Sequence, residues 1–139
     1  DGQLYRKVLN QYAQEAHVIT QIAPRLVTLV ESGEFSTQRG REIIRDYIQP
    51  LIEQGADQLV LACTHFPFLA DEIMQLVGDM VTLVDPGLPV AKQVGRVLPS
   101  NFTPATTPHT YFTTGDIIPF QQALYHLIQV DSPAQLLTV

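Results

Sequence analysis

The chain has 139 residues, of which 45% are hydrophobic and 16% are charged. This composition can fill the core of one ordinary domain and differs from that of disordered chains. Acidic residues outnumber basic ones 14 to 8, giving a net charge of −6, so we expect no direct binding to nucleic acid, which normally needs a basic stripe. No apolar run approaches the roughly 20 residues that span a bilayer, so we expect no membrane partner either.

The chain contains a single cysteine, Cys63. One cysteine excludes an internal disulfide and a cysteine-rich metal site, and it fits a reducing cytosol. The sequence opens on Asp1 and leads almost directly into a helical pattern. We therefore expect it to be a piece of a longer chain.

The first third of the sequence contains one clear helical pattern and two shorter apolar runs. Apolar residues at helical spacing predict a helix over residues 4–18. The run VITQIAP, residues 18–24, predicts a buried strand stopped by its proline. Residues 26–33 fit either a strand or a short helical turn, and the pattern leaves both open.

Residues 36–55 have the start and stop signals of a helix. Ser36 or Thr37 can cap its first turn, and Gly55 can end it. Pro50 lies inside the apolar pattern, so we expect a kink or a split there.

Strand-length runs alternate with helical patterns over the rest of the chain. The run at 56–63 is almost wholly apolar, as is typical of parallel strands buried on both faces. Further strands are predicted over 80–85 and 109–114, further helices over 67–77, 88–98 and 119–128, a surface connection over 99–108, and a fraying tail over 131–139.

The alternation of strands and helices predicts an α/β fold, specifically a three-layer αβα arrangement around a largely parallel sheet. In the helix over 67–77, the side chains expected to face the core are Leu69, Ile73, Met74 and Val77.

The segment Cys63-Thr64-His65 lies where a predicted strand turns into a helix, and ligands of open α/β sheets gather at this position. Pro67 is suited to the first helical position, so the free amides of that turn should face Cys63. These amides and the helix dipole would favour a thiolate and could bind an anionic group such as a carboxylate.

The residues around Cys63 leave two interpretations open. His65 is close enough to shuttle a proton for the thiol, and Thr64 offers a hydroxyl to a ligand. Alternatively, a free cysteine at the end of an apolar strand is a small buried hydrophobic residue. A metal site is a weaker hypothesis, because no second ligand pair has zinc-like spacing, and a phosphatase loop would need a glycine-rich cradle and an arginine.

The stretch LVLACTHFPFL, residues 59–69, resembles the second cysteine motif of the glutamate racemase family. Three further stretches match that family in the same order: APRLVTLVESGEF at 23–35, VTLVDPGLPVAKQV at 81–94 and YFTTGDIIPFQQAL at 111–124. The resemblance implies a flavodoxin-like racemase lobe. In the last stretch, Asp116 is more typical of a helix N-cap than of a catalytic group.

The resemblance implies cofactor-independent, metal-free racemisation of L-glutamate to D-glutamate, which supplies peptidoglycan synthesis. Cys63 would be one of two acid/base thiols, the one that faces the α-proton of L-glutamate. His65 would assist that thiol and contact substrate together with Thr64. Glu31 matches the glutamate of the family's valine-glutamate motif near the active-site histidine, although a surface carboxylate at the end of a strand is a competing interpretation.

The family's N-terminal region, with its first cysteine motif, has no counterpart in this sequence. The resemblance therefore implies a C-terminal part that is not competent alone. Residues 1–85 would form one lobe, incomplete at its N-terminus, and residues 86–139 would return to complete the other lobe with apolar surface exposed. Expected partners are glutamate, the missing N-terminal lobe and a possible second copy in a homodimer. The alternative is a non-catalytic α/β ligand-binding or interaction module in which Cys63 is structural.

Overall fold

A computed structural model describes residues 2–103 and 108–138 as helices joined to short parallel strands. The α-helices are α1 (Gln3–Tyr12), α2 (Pro24–Ser32), α3 (Gln38–Glu53), α4 (Ala70–Val77), α5 (Gly87–Val97) and α6 (Ile117–Ile128). The strands are β1 (Gln58–Val60), β2 (Thr82–Val84), β3 (Tyr111–Thr113) and β4 (Ala134–Leu136). Three 3-10 turns cover Glu34–Ser36, Phe66–Leu69 and Gly78–Met80.

The strands form two parallel pairs, which confirms the predicted α/β class. β1 pairs with β2, with Gln58 opposite Thr82, and β3 pairs with β4, with Tyr111 opposite Ala134. Each pair is joined through a helix, as parallel strands require.

The core is built from one stretch of the chain. Twelve buried apolar residues between Leu26 and Val81 form a single cluster, contributed mainly by α2, α3, α4 and β1. Leu127 of α6 packs against this cluster, and the neighbouring Leu124 is also buried. The helices therefore place the end of β1 next to a well-packed interior.

The prediction of a buried strand over residues 18–24 is wrong. Residues 17–23 have no regular structure, and Val18 and Ile22 are 42% and 79% exposed. Pro24 starts α2 instead of ending a strand, since its fixed φ suits the first helical position. The open question over residues 26–33 is settled as helix, while the helix expected over 4–18 ends at Tyr12.

α3 begins and ends close to the predicted positions, with Thr37 as its N-cap. The Thr37 side chain accepts a hydrogen bond from the Gly40 amide at 3.0 Å. α3 continues through Pro50, so of the expected kink or split the split does not occur. Proline leaves the Asp46 carbonyl without its helical donor, but both residues lie on the exposed face, so that carbonyl faces solvent while the opposite face stays packed.

Three expectations about the later elements are also wrong. β1 is not buried on both faces, because Leu59 lies in the core whereas Val60, on the opposite face, is 62% exposed. Met74 lies at the edge of the buried face of α4 and is 36% exposed. The tail contains β4 instead of fraying, because Ala134–Leu136 pairs with β3.

Residues 87–138 leave much of their apolar surface exposed, as predicted for 86–139. The side chains concerned include Leu88, Val90, Val94, Val97, Phe102, Phe112, Ile118, Tyr125, Ile128, Leu136 and Leu137. The predicted surface connection at 99–108 includes residues 104–107, which lie outside the described residues. Within the described ranges, no helix has both the length and the apolar character needed to cross a membrane.

Candidate active site

Cys63, Thr64 and His65 form the turn that leaves the carboxyl end of β1. The amide of Leu61 donates to the Val84 carbonyl of β2 at 2.9 Å, which extends the parallel pairing to within two residues of Cys63. The Phe66 amide then donates to the Cys63 carbonyl at 3.1 Å. The α-helix starts only at Ala70, later than predicted, so the amides that follow His65 belong to a 3-10 turn, and those of Phe66 and Phe68 are already occupied.

The structure brings the three predicted catalytic side chains into a continuous row. The Cys63 Sγ lies 3.8 Å from the His65 Nδ1, and the His65 Nε2 lies 3.3 Å from the Glu31 Oε1. Cys63 is half-buried, and the side chains of His65 and Glu31 are 32% and 61% exposed. A ligand can therefore reach the row from one side.

Glu31 reaches this row from the last turn of α2, not from the end of a strand. α2 directs Leu26, Leu29 and Val30 into the core, which leaves Glu31 on the side that faces the turn containing His65. A negative charge near a helix C-terminus is unfavourable with respect to the helix dipole. Contact with His65 offsets that cost. Because Glu31 is distant from Cys63 and His65 in sequence, the contact depends on tertiary packing.

The chemistry of the row follows from its donors and acceptors. An ionised carboxylate only accepts hydrogen bonds, so Glu31 orients the Nε2–H of His65 towards itself. In the neutral imidazole the Nδ1 then carries the lone pair and accepts the S–H proton of Cys63. Transfer of that proton gives a thiolate beside an imidazolium, and the Glu31 carboxylate stabilises the imidazolium. The arrangement can take up and return a proton at sulfur.

Thr64, the predicted substrate contact, lies between these residues in sequence but outside the row. Its side chain is exposed, and no hydrogen bond ties its hydroxyl to another described residue. The same part of the chain contains no group of three or more His, Cys, Asp or Glu side chains that could hold a metal ion.

Two aspartates near strand ends take structural positions. The Asp85 carboxylate accepts a hydrogen bond from the Gly87 amide at 2.8 Å and closes the turn after β2. Asp116 occupies the N-cap position of α6, as predicted, but its side chain makes no capping hydrogen bond.

Sequence reasoning missed a buried carboxylate, Glu72 of α4. The Glu72 Oε2 accepts a hydrogen bond from the Arg41 Nε of α3 at 2.7 Å. Hydrogen bonding from the Ser36 side chain, and then from Arg41, holds the pKa of Glu72 below its ordinary value of 4.5 although burial acts in the opposite direction. The signal was its position on the apolar stripe of α4, one helical turn from Leu69 and beside Ile73.

The family model for Asp/Glu/hydantoin racemases matches residues 1–94 of the chain. A glutamate racemase of Ectopseudomonas mendocina is 38% identical over 123 residues, covering 86% of this chain and 47% of that protein. A glutamate racemase of Ralstonia nicotianae is 34% identical over 138 residues, covering 97% of this chain and 50% of that protein. The chain thus spans about half the length of these curated relatives.

Solved structures show the same fold. A glutamate racemase isoform from Bacillus anthracis has a TM-score of 0.76 and 25% identity, and the match covers 98% of this chain and 52% of that one. The glutamate racemase of Francisella tularensis, solved in complex with D-glutamate, has a TM-score of 0.79 and 19% identity, and the match covers 96% of this chain and 52% of that one.

Proposed function

This chain belongs to the Asp/Glu/hydantoin racemase family, and from that premise we propose that it carries one of the two acid/base thiols of a cofactor-independent glutamate racemase. The observation that carries the proposal is the row formed by Cys63, His65 and Glu31, joined at 3.8 Å and 3.3 Å. The relatives named glutamate racemase support glutamate as the substrate.

In the proposed reaction the Cys63 thiolate removes the α-proton of L-glutamate. The Cα–H bond breaks, an S–H bond forms, and the electron pair left at Cα delocalises into the adjacent carboxylate. A second thiol then donates its proton to the opposite face and completes D-glutamate. Since Cys63 is the only cysteine in these 139 residues, the second thiol belongs to polypeptide outside them.

His65 and Glu31 keep the thiol of Cys63 ready for that step. His65 accepts or returns the proton at its Nδ1, and Glu31 fixes the ring orientation and offsets the positive charge of the imidazolium. No metal or cofactor is needed in this scheme, because positioned hydrogen bonds and exclusion of water stabilise the carbanionic intermediate. The exposed Thr64 hydroxyl contacts the substrate.

We assign residues 1–85 to one lobe of the racemase and residues 86–139 to the other. The apolar side chains exposed on 87–138 support this division, because an N-terminal lobe of the same protein would cover them. The full enzyme supplies D-glutamate for peptidoglycan, and we place it in the cytoplasm, where reactive thiols stay reduced.

Hydrogen exchange at Cα tests the proposal. The 139-residue chain is incubated in D2O with L-glutamate or D-glutamate, and deuteration of Cα is followed by NMR. We expect exchange from L-glutamate alone, without interconversion, and a loss of about 100-fold or more in Cys63→Ser, the size of a lost acid/base group. Glu53→Gln is the matched control, because Glu53 is exposed and, among the described residues, bonds to Gln49 of its own helix at 3.1 Å.

Three results would contradict the proposal. Exchange that persists in Cys63→Ser removes the thiol from the reaction. Interconversion of both enantiomers by the chain alone places a complete two-sided site within it. If no exchange occurs, the N-terminal half of the Ectopseudomonas mendocina relative is added to the same sample, and continued absence of exchange favours a non-catalytic module with a structural Cys63.

A further inference from the structure

The segment that joins α2 to α3, residues 33–37, is fixed from several sides and is called here the α2–α3 junction. Gly33 adopts a left-handed conformation with φ of 71° and ends α2. The Thr37 hydroxyl donates to the Glu34 carbonyl at 2.7 Å. Gly40 of α3 lies so close behind the junction that a Cβ there would overlap the carbonyl oxygens of Glu34 and Phe35. The end of α2 is therefore tightly joined to α3.

A buried carboxylate links this junction to α4. Glu72 is 9% exposed and accepts a hydrogen bond from the Arg41 Nε of α3, just beyond the junction, at 2.7 Å. The side chain of Ser36 in the junction also lowers the pKa of Glu72. A buried charge persists only where such partners satisfy it. Glu72 thus links α4 to the junction and the first turn of α3, which are adjacent to each other and about 31 residues away from it in sequence.

Both sides of this link lead directly to the active-site row. Glu31 lies on α2 immediately before the junction, and His65 lies immediately before the 3-10 turn that runs into α4. The Glu31–His65 contact and the Glu72 contacts therefore cross the same packing boundary. α2 and the α2–α3 junction form one side of this boundary, and the 3-10 turn and α4 form the other. Moving α4 away from the junction would lengthen the 3.3 Å contact between His65 Nε2 and Glu31 Oε1.

We propose that Glu72, held by Arg41 at the start of α3, is a positioning residue that keeps Glu31 within hydrogen-bonding distance of His65 and so prepares the Cys63 thiol. The inference rests on the proposed function, since it assumes that Glu31 and His65 act on that thiol. Glu72 itself touches no member of the row and acts through the backbone on both sides of the boundary.

The test measures the row directly in the 139-residue chain. The readouts are the 15N shifts of the His65 ring, which report its tautomer and its Nε2 partner, and the rate at which iodoacetamide alkylates Cys63 at neutral pH. We expect Glu72→Gln to move the ring shifts and to slow alkylation by about two- to thirtyfold, the range of coupling through packed elements. Arg41→Gln, at a side chain that is 53% exposed, removes the same contact from the α3 side and should move both readouts in the same direction.

Ile48→Val is the control for lost stability, because Ile48 is buried in α3 but lies outside the junction. It should lower the melting temperature and leave both readouts unchanged. If Glu72→Gln and Arg41→Gln behave like Ile48→Val while Glu31→Gln shifts both readouts, the positioning role is overturned and the proposed function stands. If Glu31→Gln changes neither readout, the row itself has no effect on Cys63 and the proposed function fails with it.

Discussion

Residues 24–84 and residues 87–138 both contain amphipathic helices and a parallel strand pair, but they bury very different amounts of apolar surface. Twelve core residues lie between Leu26 and Val81, whereas Leu124 is the one buried hydrophobic side chain that the structure describes in the second region. The first region contains its own interior and the candidate site. The second presents apolar surface suited to contact with further protein.

α3 and α5 show what the difference means. Both have apolar residues at helical spacing, and both form helices where the pattern predicts them. α3 buries Ile44, Ile48 and Leu51, whereas α5 buries none of its residues. Hydrophobic periodicity predicts that a helix has a face to bury, but it does not predict what covers that face.

The largest expected difference between the two regions is in the stability lost when one isoleucine is truncated to alanine. Ile73 is 1% exposed in the core, and Ile73→Ala should lower the free energy of unfolding by about 2–5 kcal/mol through lost burial and a cavity. Ile118 is 71% exposed on α6, and Ile118→Ala should change it by less than about 0.5 kcal/mol. Urea denaturation measures both, and equal losses would contradict the contrast.

A smaller effect, of opposite sign in the two regions, is expected at two helical glycines. Gly40→Ala should destabilise the chain by about 1–3 kcal/mol, because the new methyl group meets the backbone of the α2–α3 junction. Gly95 of α5 has open space where a methyl group would lie, with no atom of another element within 4 Å, so Gly95→Ala should stabilise by about 0.5–1 kcal/mol. Thermal unfolding measures the sign of each change in stability. Stabilisation by Gly40→Ala would contradict the prediction and show that the junction moves to accommodate the methyl group.

The smallest effect concerns pH. The pKa of Glu72 is lowered below 4.5 in the folded chain. Its negative charge therefore stabilises the fold at pH values above 4.5, and this contribution is lost as the pH falls through the lowered pKa. The difference in unfolding free energy between the wild-type chain and Glu72→Gln should be about 1–2 kcal/mol at neutral pH and shrink in acid. Asp116→Asn, at a side chain that makes no capping bond, is the control. A difference independent of pH would contradict this assignment.

Elements with strong local signals could be predicted from the sequence. The cap at Thr37, the spacing along α3 and the turn at Asp85-Pro86-Gly87 all depend on neighbours a few residues away. The strand predicted over 18–24 failed because an apolar run needs a partner strand, and periodicity cannot supply one. β4 was missed for the complementary reason, since a short tail becomes a strand only through its pairing with β3.

The candidate site likewise has a part that local sequence predicts and a part that depends on tertiary packing. Cys63, Thr64 and His65 stand together in the sequence, and the resemblance added Glu31. The Cys63–His65 contact needs only a local turn, whereas the Glu31 contact requires α2 to pack beside that turn. Glu72 was missed because a carboxylate in an amphipathic helix usually faces solvent, and its partners, Ser36 and Arg41, are distant in sequence.

The register that pairs Gln58 with Thr82 has a consequence for the order of folding. Cys63, His65 and α4 all lie inside the loop that this pairing closes, and closing such a loop has an entropic cost that local helices do not have. Helical structure and the local turn that holds Cys63 beside His65 can form while the strands are still apart, but that turn takes its place at the carboxyl end of the sheet only when β1 and β2 come together. The chemical readiness of Cys63 therefore depends on the pairing of β1 with β2 as well as on its local turn.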